Sequence, residues 1–167
     1  MHVFLMRHGS AARSGPHADA DRPLTPEGEA EVEDAAHGLA RLEVRPKIVL
    51  TSPARRCRAT AEIVARELGV QDGALRVVDA LAAGTPPARL LQQLATIGAV
   101  DGLLLVGHEP DLMALASILV AGAAPVSLRF QCGGCACFEI DGLPPAGPAV
   151  LHWLLTPAQL RCVGRED

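Results

Sequence analysis

Aromatic residues are almost missing from this chain. Phe4, Phe130, Phe138 and Trp153 make up 2% of the 167 residues, and there is no tyrosine. A stacking platform for single-stranded nucleic acid is therefore not expected, and the core has to be filled by Leu, Val and Ala. Positive charge is short as well. Lys and Arg total 15 against 19 Asp and Glu, a formal net charge of −4, which is the wrong sign for a polyanion binder. No nucleic-acid partner is expected. Long apolar runs are also lacking: the longest, Leu112–Ala124, falls short of the roughly 20 residues of a membrane span. It reads as a buried helix, with no membrane partner. The opening run His2–Met6 is too short for a secretory h-region and has no cleavage pattern behind it. Five cysteines (Cys57, Cys132, Cys135, Cys137 and Cys162) are an odd number, which argues against a disulfide framework and for a cytoplasmic location.

What is present suits one globular unit. Hydrophobic residues are 49% and charged residues 20%, enough for a sizeable core, and the length predicts a single domain over residues 1–167. Val3–Met6, Ile48–Leu50, Leu75–Val78 and Leu103–Val106 are short aliphatic runs of the kind found in strands buried on both faces. Helix-like segments separate them. Thr25-Pro26-Glu27 carries an N-cap residue, a proline at the first helical position and an acid in the first turn. Val32, Ala35, Ala36 and Leu39 then fall on one face. Cys57, Ala61, Val64 and Leu68 mark a second helix, and Leu90, Leu91 and Leu94 a third. Asp111–Val120 is apolar nearly all round, which predicts a central fourth helix.

Alternation of this kind predicts a three-layer α/β/α sandwich on a mostly parallel sheet. After Pro125 the runs Ser127–Phe130, Ala136–Ile140 and Val150–Leu155 predict consecutive strands forming an antiparallel edge. The Pro/Gly-rich stretch Gly142–Pro148 is read as a hairpin loop between two of them rather than a linker. There is no internal repeat.

Ligands of open α/β sheets bind at the carboxyl ends of the strands. Arg7-His8-Gly9 follows the first strand. Thr51-Ser52-Pro53 follows the second, with Arg55-Arg56 opening a helix, and Gly107-His108-Glu109-Pro110 follows the fourth, again opening a helix. Two histidines, several arginines and two helix N-termini on one edge make an anion site, since free N–H groups and guanidinium forks both suit phosphate oxygens.

Arg7-His8-Gly9 resembles the R-H-G signature of the histidine phosphatase superfamily. Ser52 to Ala61 resembles its S-P-x-x-R-x-x-x-T-A segment, and Gly107-His108-Glu109-Pro110 its second-histidine segment. Asp19-Ala20-Asp21-Arg22-Pro23-Leu24-Thr25 is similar to the D-x-x-R-P-L-T stretch of the small SixA-type members, which act on phosphohistidine of signalling proteins. The resemblance implies a phosphoglycerate-mutase-like fold and a metal-independent phosphatase without cofactor. By motif position His8 is the implied nucleophile, and Arg7, Arg56 and His108 the implied clamp on the phosphoryl oxygens. Arg22, Arg55 and Gly9 are further implied contacts with a phosphate-bearing substrate, Arg55 at the rim. A neutral imidazole within a fixed cationic clamp is sound chemistry for phosphoryl transfer, and the arginines should hold the His8 pKa down.

One departure from the family pattern matters. Many members carry an acid in an L-x-E pattern after the third strand, to protonate an alcohol leaving group. Here, with Leu81 as the Leu, that position holds Ala83, and Asp79 and Glu109 are the remaining candidates for general acid. A phosphoramidate is then an easier substrate than an alkyl phosphate. Three other readings stay open: a phosphatase for a small phosphate monoester, a non-catalytic phosphate-binding module, and a zinc module built on Cys132, Cys135 and Cys137. The spacing of Cys135 and Cys137 is better read as two buried thiols on one face of a strand.

Overall fold

The computed structural model describes residues 1–13, 18–98, 100–122 and 126–165. Six strands, β1 (His2–Arg7), β2 (Ile48–Thr51), β3 (Leu75–Val77), β4 (Leu103–Gly107), β5 (Cys135–Glu139) and β6 (Val150–Leu155), form one sheet in the order β3-β2-β4-β1-β5-β6. The first four in that order are parallel; β5 runs antiparallel to β1, and β6 antiparallel to β5. The helices are α1 (Pro26–Arg41), α2 (Arg55–Glu67), α3 (Pro87–Leu94), α4 (Asp111–Ala121) and α5 (Pro157–Gly164), with 3-10 turns at Asp19–Asp21 and Asp79–Leu81. Among the described residues no helix is long and apolar enough to cross a membrane.

Strand alternation makes the three layers. Phe4, Met6, Val49, Leu104 and Val106 point to one face and pack with Val32 and Leu39 of α1, Cys57 and Val64 of α2 and Leu160 of α5. Val3, Leu5, Leu50, Leu103 and Leu105 point to the other and pack with Leu90 of α3 and Leu112, Leu115 and Leu119 of α4. Every residue of β4 is buried, which is why its sequence shows no polar alternation. Each aliphatic side chain so buried stabilises by roughly 1.5–3 kcal/mol. As the sequence predicts, Thr25 caps α1, its Oγ1 accepting from the Gly28 amide at 3.0 Å, and residues 140–149 join two antiparallel strands.

The structure departs from the sequence reading in three places. Ser127–Phe130 is not a strand. Its burial alternates, with Phe130 fully buried and Arg129 exposed, but both edges of β1 are already taken by β4 and β5. The segment packs on the core without a ladder, and its Phe130 carbonyl accepts from Arg7 instead. The fourth helix is not central: it lies on one face of the sheet with Ile118 exposed. Pro125 and the end of the predicted run, Ala123 and Ala124, lie outside the described residues. Finally, an unexpected α5 follows β6. It carries a capping box between Thr156 and Gln159, and it lies so close to α1 that a Cβ on Gly38 would collide with the Leu160 carbonyl.

Candidate active site

β1 and β4 are neighbours, with Arg7 opposite Gly107, so the residues that follow them leave the sheet side by side. The His8 amide donates to the Gly107 carbonyl at 3.1 Å, and the two imidazole rings stand 5.4 Å apart, edge to face. Ser52 leaves β2 on the far side of β4, its amide donating to Val106. The first turn of α2 then delivers Arg56 between the two histidines, with 3% of its surface exposed.

Arg56 fixes the protonation of both rings. Its Nε donates to His8 Nε2 at 3.2 Å, and one of its terminal nitrogens to His108 Nδ1, also at 3.2 Å. A guanidinium can only donate, so both nitrogens facing it carry lone pairs. His8 then keeps its proton on Nδ1, donating to the Gly9 carbonyl at 2.8 Å. His108 keeps its proton on Nε2, donating to Ser52 Oγ at 2.7 Å. Ser52 Oγ accepts a second bond from the Ala54 amide, which holds it in place. Both histidines are pushed down to about 4, first by burial and then by cationic neighbours, Arg56 foremost. They are neutral at pH 7.

The supporting contacts reach across the fold. Thr60 Oγ1 donates to the Arg56 carbonyl at 2.7 Å and accepts from the Gly9 amide at 3.1 Å, tying the loop after β1 to α2. Gly9 has no room for a side chain, since a Cβ would lie 2.5 Å from Val32 Cγ2. Arg7 donates to the Phe130 carbonyl at 2.8 Å, while its Nε is buried with no hydrogen-bond partner among the described residues. Cys57 Sγ lies 3.5 Å from His108 Nε2, but burial pushes its thiol up to about 12, so it stays protonated.

The clamp binds an anion of its own. Arg56 donates to the backbone carbonyl of Asp19 and to its Oδ2 at 3.0 Å, and Arg22 forms an ion pair with Asp19 Oδ1 at 2.7 Å. The hydrogen bond from Arg56 is the main reason why the Asp19 carboxyl is held below the usual range. Arg22 also donates to the Ala12 carbonyl.

Arg7, His8, Gly9, Arg22, Arg56 and His108 therefore meet at one sheet edge, as their positions in the sequence suggest. Arg55 does not join them. It is exposed and lines a shallow outer cavity with Arg58 and Glu62, because neighbouring helical residues point in different directions. Asp79 is exposed at the head of its 3-10 turn, and among the described residues no hydrogen bond or ion pair links it to the histidines. Glu109 is half-buried beside His108 in the chain, its Oε2 buried without a partner. Sequence reasoning missed Ser52, Thr60 and Asp19 as site residues, although all three stand within the motifs it singled out. Among the described residues no group of three potential metal ligands lies at this edge. Cys135 and Cys137 are buried on one face of β5, and all five thiols are free.

Comparison with known proteins bears on the family and the fold. The profile of the histidine phosphatase superfamily (branch 1) matches residues 3–82. Phosphohistidine phosphatase SixA of Escherichia coli is 30% identical over 163 residues, which cover 96% of this chain and 97% of that protein. An uncharacterized protein of Picosynechococcus sp. is 36% identical over 138 residues, 80% of this chain and 82% of its own. Among solved structures, the protein histidine phosphatase SixA complexed with tungstate superposes with a TM-score of 0.85 at 28% identity, over 96% of this chain and 99% of that one. The alpha-ribazole phosphatase of Shigella flexneri shares the fold, with a TM-score of 0.72 at 17% identity over 94% and 97% of the two chains. A relative 30% identical along nearly the whole length, built on the same fold, makes this protein a member of the histidine phosphatase superfamily.

Proposed function

We propose that the protein is a metal-independent phosphatase that takes a phosphoryl group onto His8 Nε2 and passes it to water, with phosphohistidine on another protein as its substrate. The observation that carries this reading is the tautomer of His8: the ring is neutral, its proton is on Nδ1, and the lone pair of Nε2 faces Arg56. As the Arg56 Nε–H turns from the Nε2 lone pair to a phosphoryl oxygen, Nε2 attacks phosphorus and the bond from phosphorus to the leaving nitrogen breaks. The leaving imidazole departs neutral if its distal nitrogen carries a proton, a group whose ordinary pKa is about 6.5. The phosphorylated His8 keeps its Nδ1 proton on the Gly9 carbonyl. When water attacks, the electron pair returns to Nε2 of a ring that is again neutral, and the proton lost by water goes to phosphate or solvent. Arg56 and the unpartnered Nε of Arg7 supply donors to the oxygens as charge develops, in place of a metal cation. His108, whose one N–H is held by Ser52, orients Arg56 rather than donating to the phosphate. SixA, similar along the chain, bears the name phosphohistidine phosphatase.

A specific observation favours the second reading, a phosphatase for a small phosphate monoester: the buried, partnerless Oε2 of Glu109 would suit an acid for an alcohol leaving group. General acid catalysis contributes about 10²–10⁴-fold, roughly 3–5 kcal/mol. The two readings part in a leaving-group series run on wild type, Asp79→Asn and Glu109→Gln. Phosphohistidine chemistry predicts turnover that falls steeply with leaving-group pKa and is unchanged by either substitution. A flat series that turns steep in Glu109→Gln would establish the monoester reading. In the same assay His8→Ala should abolish both turnover and trapping of labelled phosphate on the protein, and label on any other residue would overturn the mechanism.

A further inference from the structure

A second cluster of ligating side chains lies at the opposite end of β1 from His8. His2 opens the strand and stands opposite Glu139 in the antiparallel ladder. β6 carries a bulge: Trp153 faces Cys137 while Leu151 faces Phe138, so His152 is the extra residue. A bulge re-aims a side chain, and this one brings His152 beside the other two. One ligand atom from each of His2, Glu139 and His152 lies within 4.8 Å of the others, and all three residues are exposed. His152 Nε2 is 2.8 Å from Glu139 Oε2, and the His2 and His152 rings are 5.7 Å apart.

We infer that His2, Glu139 and His152 form a surface site for one divalent transition-metal ion of the zinc class, separate from the phosphate pocket. The donor set decides the class. Two imidazoles and one carboxylate suit Zn²⁺, Co²⁺, Ni²⁺ or Cu²⁺, whereas Mg²⁺ and Ca²⁺ prefer shells of oxygen. Bonds of about 2.0–2.2 Å put ligand atoms roughly 3–3.5 Å apart. The Glu139 and His152 atoms are already near that spacing, and exposed side chains close the rest by rotation. The backbone beneath is rigid: the three residues stand on three hydrogen-bonded strands. The Met1 amine donates to the Ile140 carbonyl at 2.8 Å, and the Phe4 ring lies against His2 at 6.2 Å and Trp153 at 6.1 Å. A plain ion pair would need only Glu139 and His152 and leaves the approach of His2 unexplained. Water would complete the metal's shell. The cluster lies about 20 Å from His8 along β1, so an ion here would brace the antiparallel edge without touching the clamp.

The test is calorimetric titration of zinc chloride into the full chain, made without an affinity tag and stripped with a chelator. One equivalent should bind, with the ring resonances of His2 and His152 shifting together in the NMR spectrum, and with magnesium chloride producing neither effect. His152→Ala and Glu139→Gln should each weaken binding by more than about a hundredfold, the most that loss of an outer-shell partner costs. Zinc bound at one equivalent in both variants, with the two histidine signals of the wild type unmoved, would place the metal elsewhere and overturn the inference. Failure to bind below millimolar zinc would do the same. Either result leaves the phosphatase reading untouched, because that reading is tested by label on His8.

Discussion

A histidine in water is mostly protonated at pH 5.5, since its ordinary pKa is about 6.5. His8 and His108, lowered to about 4 by burial and Arg56, are not. The sign follows directly. Between pH 4 and 6.5 the unfolded chain binds protons that the folded one refuses, so these two groups stabilise the fold fully above 6.5, and that contribution is lost as pH falls toward 4. NMR titration of the imidazole carbons should show both rings neutral at pH 5. The urea midpoint should be lower at pH 5 than at pH 7, and the difference should shrink in His8→Ala. Asp19 gives a second prediction at this scale. Its carboxylate uses donors of Arg56 and Arg22 that a phosphate would need. Ion pairs with one exposed partner are worth up to about 1 kcal/mol, so Asp19→Ala should tighten competitive inhibition by inorganic phosphate roughly two- to fivefold. Weaker inhibition would mean that Asp19 instead positions the arginines.

Elements differ in how much of them the sequence discloses. Thr25-Pro26 and the period of Val32, Ala35, Ala36 and Leu39 announce α1 because both signals are local. Thr156-Pro157 repeats the same start signal, yet α5 is only eight residues long and buries only Leu160, too little for periodicity to register. Ser127–Phe130 alternates as a strand should, but whether a strand finds a partner is decided by which edges are already taken, and that is not a local property. The positions of His8, Arg56 and His108 were legible because strand ends are. The partners that hold them in place were not: Arg56 meets Asp19 across 37 residues of chain, and His108 meets Ser52 across 56. The α5 cap can be tested on its own. Thr156→Ala removes the hydroxyl that accepts from the Gln159 amide and should cost about 0.5–2 kcal/mol of stability. Thermal unfolding would report it, with kcat unchanged.

On the scale of the whole molecule, two kinds of site stand at opposite ends of one sheet, and they predict different responses to chelators. The phosphate edge is built from guanidinium groups and neutral imidazoles, so EDTA should leave turnover of the wild-type enzyme intact. It should at most lower the thermal midpoint, by emptying the His2, Glu139 and His152 cluster. Activity lost on chelation and restored by metal would contradict the clamp as described.

The contact between Asp19 and the clamp has a kinetic side. A carboxylate held on the same chain as the arginines it binds, three residues from Arg22 and folded against Arg56, acts at an effective concentration roughly in the millimolar range. Free anions below that level compete poorly for the arginines, whereas a phosphoryl group presented by a docked protein arrives with local concentration of its own. On the proposed function, once the phosphoryl group has gone to water, the Asp19 carboxylate competes with the orthophosphate for the same arginines. On that reading, the turn at Asp19–Asp21 sets a threshold that inorganic phosphate must exceed before it holds the enzyme in its product state.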